Sequence, residues 1–115
     1  MRSDKDNLIV DLTFQFALKV IDYCDQLDAS KKFSVSKQLI RCGTSIGANV
    51  REAQNAESKT DFIHKFKIAA KEADETQYWI LLCRSSKNYP VPNILEKDIE
   101  TIIKIISKII SSAKK

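Results

Sequence analysis

Apolar residues recur along this chain at steps of three and four, the spacing of one helix face, in four separate stretches. The stretches cover about residues 8–28, 36–56, 59–87 and 94–113. Short polar linkers separate them, and helices of this length joined so closely predict an all-α fold, an antiparallel up-and-down four-helix bundle. No internal repeat or low-complexity tract interrupts the pattern, so residues 1–115 read as one domain.

The first stretch carries two apolar rows. Ile9, Leu12, Phe16, Val20, Tyr23 and Leu27 form one; Val10, Phe14, Ala17, Ile21 and Cys24 form the other. Together they span roughly 200° of the helix, about twice the stripe of an ordinary surface helix. Bundle neighbours do not cover that much, which makes Val10, Phe14, Ala17 and Ile21 candidates for an interface with another subunit. The homo-oligomer is therefore an expectation of the pattern, although the number of subunits is not.

In the second stretch Leu39, Cys42, Ile46, Val50 and Ala53 make a narrow stripe with Gly43 inside it. Glycine costs roughly 1 kcal/mol of helix propensity relative to alanine, so its presence predicts the close approach of a neighbouring helix. The small residues Ala69 and Ala73 of the third stretch suggest that helix as the neighbour. Phe33 before Ser34 resembles a hydrophobic staple at the start of the second helix, and Asn93 with Glu96 resembles a capping box at the start of the fourth. Ser58, followed by Asp61, predicts an N-cap for the third. Its far end, YWILLC (78–83), is apolar on nearly every side. Pro90 and Pro92 exclude a continuous helix between the third and fourth stretches. Leu95, Ile99, Ile102, Ile106, Ile109 and Ala113 give the fourth a coiled-coil-like seam, with Lys97, Lys104, Lys108 and Lys115 on the opposite side.

Composition adds limits. Two glycines, two prolines and 43% apolar residues favour long helices over sheet. No apolar run reaches the roughly 20 residues of a membrane span. The opening MRSDKDN is charged and lacks a signal-peptide core. Both point to a cytoplasmic protein. Cys24, Cys42 and Cys83 lie on helical stripes without C-x-x-C spacing and read as reduced, buried thiols. A net charge of +4 permits contact with nucleic acid without requiring it.

The chemistry on offer is sparse. The single histidine, His64, follows Asp61 in a lone Asp-x-x-His, whereas a di-metal carboxylate bundle needs two Glu-x-x-His motifs. There is no G-x-S-x-G elbow and no phosphate-binding loop. Neither an enzyme nor a cofactor is expected. The polar cluster Ser45, Asn49 and Glu52, with Glu72 and Glu75 on the third helix, reads either as a hydrogen-bonded lock between helices or as a ligand site. Lys37, Arg41, Arg51, Lys65, Lys67 and Lys71 form a basic set suited to phosphate contacts with RNA or DNA, without any motif for reading bases. A protein-binding scaffold or accessory subunit with a merely soluble basic surface is the other reading.

The segment QLIRCGTSIGANVREAQNAESKTDFIHKFKIAAKEADETQYW (38–79) resembles a bacterial family of four-helix bundle proteins, the 23S rRNA intervening-sequence proteins. The resemblance lies in S-I-x-A-N-V-x-E from Ser45 to Glu52, S-K-x-D-F-I from Ser58 to Ile63 and E-x-x-E-T-x-Y-W from Glu72 to Trp79. It is looser over the first and fourth helices. The resemblance implies an up-and-down bundle, a ring-like homopentamer and a nucleic-acid role. A similar fold is found in the accessory protein of diversity-generating retroelements, which binds a reverse transcriptase and RNA through a basic surface.

Overall fold

The computed structural model describes residues 7–115. The charged segment 1–6, read above for its lack of a signal-peptide core, lies outside the described residues. Four helices follow in order: α1 (Leu8–Ala29), α2 (Phe33–Ala53), α3 (Lys59–Ser85) and α4 (Asn93–Ala113). Among the described residues there is no strand. Each helix packs on the next in the chain, and α4 closes back on α1, so that α1 and α3 sit on opposite corners of a rod 46 × 22 × 19 Å.

The core is built from the anticipated stripes. Ile9, Phe16, Val20 and Leu27 of α1 meet Leu39, Ile46 and Val50 of α2, Phe66 and Ile80 of α3, and Leu95, Ile99, Ile102 and Ile106 of α4 in one buried cluster. The buried hydroxyls are satisfied locally: Thr13 donates to the Ile9 carbonyl at 2.8 Å and Thr76 to the Glu72 carbonyl at 2.7 Å. Cys24, Cys42 and Cys83 are free and buried. Desolvation pushes all three thiols up, Cys24 to about 11.

Gly43 does serve a close approach, but its partner is α1. A Cβ at Gly43 would stand 2.9 Å from both methyl carbons of Val20. The pairing of Gly43 with the alanines of α3 is thus corrected. A helix stripe says which face is apolar and leaves open which of two flanking neighbours lies over each side.

Two helix starts also differ from expectation. Helix α2 begins at Phe33, three residues before the anticipated residue 36, and ends at Ala53; α3 ends at Ser85. The Lys32 N–H bonds the Leu27 carbonyl at 2.8 Å and the Lys31 N–H bonds the Asp28 carbonyl at 2.9 Å. This is a Schellman closure of α1 with Lys31 in the left-handed region at φ 63°. It shortens the linker and carries Phe33 and Ser34 into the helix, where no staple or Ser34 cap forms. At α4 the N-cap is Pro92, not Asn93. Instead of a capping box, Asn93 and Glu96 both accept from Arg84 at the end of α3. The Ser58 cap is as anticipated: its hydroxyl accepts from the Asp61 N–H at 3.0 Å.

Candidate nucleic-acid and assembly surfaces

The six basic residues divide by partner. Arg41 reaches from α2 to Glu72 at 3.3 Å and to Glu75 on α3. Glu75 also accepts from the Trp79 indole N–H at 3.1 Å. Arg41 and then Trp79 hold the Glu75 carboxyl below the usual carboxylate range. Lys65 pairs with Glu52 at 2.9 Å, and that hydrogen bond raises its pKa. Lys37, Arg51, Lys67 and Lys71 are exposed, and none pairs with a carboxylate among the described residues.

The polar cluster does not come together as one site. Ser45 donates to the Arg41 carbonyl at 2.6 Å and Asn49 to the Ser45 carbonyl at 2.9 Å, both within α2. Glu52 belongs to the Lys65 pair, while Glu72 and Glu75 belong to Arg41. The row works as two cross-helix ties between α2 and α3 rather than as a cavity. Among the described residues no three His, Cys, Asp or Glu side chains gather to hold a metal.

The α1 candidates lie where the wide apolar surface placed them. Phe14 is 55% and Ile21 41% exposed, while Val10 and Ala17 are half-buried. An open groove of about 510 Å³ runs beside them between α1 and α2, lined among others by Asp11, Ala17, Gly47, Ala48 and Arg51. Arg51 thus borders the groove beside α1 and takes no part in the Arg41–Glu72–Glu75 cluster. The sequence reading missed Leu18, 44% exposed, one turn from both Phe14 and Ile21. Its three- and four-residue spacing was the available signal. It also missed Arg84, whose two pairings fasten α3 to α4, and the Tyr23 hydroxyl, which donates to the Pro90 carbonyl at 2.6 Å. At the C-terminal end of α3, Tyr78 and Leu81 are exposed as well. No helix among the described residues is long and apolar enough to cross a membrane.

Comparison with known proteins identifies the bundle's relatives. A family model described as 23S rRNA-intervening sequence protein matches residues 5–111. A crystal structure from Bacteroides thetaiotaomicron, described as a protein of unknown function from the S23 ribosomal protein family, superposes with a TM-score of 0.85 at 39% identity. The match covers 90% of this chain and 98% of that one. No curated protein matches.

Proposed function

This chain belongs to the 23S rRNA-intervening sequence protein family, and on that footing we propose that it is a non-enzymatic, self-assembling helical bundle of the cytoplasm that holds RNA or DNA by its phosphates. The homopentamer implied by the resemblance is the assembly proposed. The observation that carries the nucleic-acid reading is that four of the six basic residues singled out on α2 and α3, Lys37, Arg51, Lys67 and Lys71, are exposed and have no carboxylate partner among the described residues. Arg41 and Lys65 are engaged by glutamates and leave the set. Contacts of this kind engage the backbone of any sequence, and repetition around an assembly adds weak single contacts together.

The test is a salt titration of RNA and DNA binding with several unrelated sequences. Affinity falls as salt rises, because neutralised phosphates release condensed counterions. Lys37→Glu/Arg51→Glu lowers the log–log slope by about two, roughly one per lost contact, and weakens all sequences alike. Lys97→Glu/Lys104→Glu on the far side of α4 leaves the slope nearly unchanged. Mass is followed in parallel, since a dissociated protein loses multivalent binding for a separate reason. An intact assembly that binds nothing at low salt overturns this reading. It would favour a protein-binding scaffold, for which the exposed Phe14, Leu18 and Ile21 are suitable contacts.

A further inference from the structure

The linkers that join α1 to α2 and α3 to α4 come together at one end of the rod. The Lys32 ammonium stands 5.0 Å from the centroid of the Tyr89 ring, a cation–π contact between the two. The Tyr23 hydroxyl fastens the second linker to α1 through the Pro90 carbonyl at 2.6 Å. Residues 29–38 and 84–95 hold no aspartate or glutamate. They hold Lys31, Lys32, Lys37 and Lys87, none of them paired with a carboxylate among the described residues. Their one arginine, Arg84, is taken up by Glu96. The linker at the opposite end differs in sign, with Glu57 and Asp61 against Lys59.

An open aromatic ring sits among these cations. Phe33 begins α2, is 60% exposed and lies outside the core cluster. Lys31 and Lys32 precede it, and Lys37, four residues on, shares its face of the helix. Ammonium groups around an exposed ring supply the two contacts that a single strand needs: charges for its phosphates and a flat apolar surface for a base. A duplex can use only the first, because its bases are stacked on one another. Val91 and Ile94 are exposed at this end too, but they line a shallow hollow of about 270 Å³ together with Asp22 of α1. A carboxylate beside these aliphatic groups disfavours an anionic lipid surface, whereas the two linkers themselves contain none.

We propose that this end of the rod binds single-stranded RNA or DNA, with one base stacked on Phe33 and the flanking phosphates held by Lys31, Lys32, Lys37 and Lys87. The inference rests on the phosphate-binding reading above and adds a contact that only unpaired strands can make. Stacking of this kind tolerates any sequence, since every base has a π-face.

Fluorescence anisotropy of the full chain at low salt tests it with three DNA probes: a mixed-sequence single strand, an abasic strand of equal length, and the same single strand annealed to its complement. The wild type should bind the intact strand about ten-fold more tightly than the abasic one. Phe33→Ala should abolish that difference and leave the abasic and duplex affinities within about two-fold. Phe33→Trp should keep the intact-strand affinity, with the emission of the added indole quenched by that strand and not by the abasic one. Phe33 is exposed, so both variants should keep the wild-type circular dichroism and denaturation midpoint. Lys31→Gln/Lys87→Gln should weaken intact and abasic strands alike. Equal affinity for intact and abasic strands, or an intact-strand affinity unchanged by Phe33→Ala, overturns the stacking and leaves phosphate binding standing. So does a Phe33→Ala variant that loses all three probes equally. Retention on phosphatidylserine vesicles that Phe33→Ala abolishes assigns the ring to a membrane surface and overturns the proposal as well. A wild type that binds none of the probes overturns the phosphate reading itself, and this inference with it.

Discussion

Gly43 shows what a single missing Cβ does here. Val20 is fully buried and β-branched, so its two methyls cannot swing aside from a carbon placed 2.9 Å away. Gly43→Leu should destabilise by about 1–3 kcal/mol or more, outweighing the roughly 1 kcal/mol gained in helix propensity. Chemical denaturation midpoints measure it; an unchanged or raised midpoint would contradict the packing. Cys24 gives a second outcome at this scale. Its thiol stands at about 11 in the fold against an ordinary 9.0, chiefly through desolvation. The folded state then holds a proton that the unfolded chain releases, so stability is full below about pH 9 and declines as pH rises toward 11. The loss from this group is about 3 kcal/mol, at roughly 1.4 kcal/mol per unit. Denaturation midpoints measured from pH 8 to 11 should fall, and Cys24→Ala should make that fall shallower, with the raised Cys42 and Cys83 thiols leaving part of it. The burial of Cys24 was legible from its place on a stripe. The partner of Gly43 was not, because stripe spacing fixes an angle on one helix and not the rotation of its neighbour.

At the level of elements, caps were readable where a side chain closes its own first turn. Ser58 bonds the N–H three residues on, a local geometry that spacing reveals, and Ser58→Ala should cost about 1 kcal/mol in thermal or chemical denaturation. The start of α2 was less legible. Its linker turns through Lys31 in a left-handed conformation that glycine or asparagine would have advertised. Asn93 and Glu96 had the right spacing for a box, yet Arg84, nine and twelve residues away, claims both oxygens. A charged partner from another helix overrode a local motif. The same effect split the polar cluster: Arg41 and Lys65, assigned by sequence to an outward basic face, are drawn sideways to glutamates that spacing within one helix could not pair with them.

For the whole molecule, the bundle was legible because four amphipathic patterns and short linkers leave few ways to bury the stripes. The candidate surfaces were legible only as inventories of residues; their division into paired and unpaired charges depends on how helices are rotated together. The order of packing has one more consequence. Since α1 meets α2, α2 meets α3 and α3 meets α4, most contacts join segments close along the chain, while the α1–α4 closure spans widely separated ones, such as Lys19 and Asp98. Little loop-closure entropy opposes the early steps. Neighbouring-helix contacts of this kind are those of helical bundles, which fold in about microseconds to milliseconds, and the sealing of α4 against α1 carries the largest loop closure of the four interfaces.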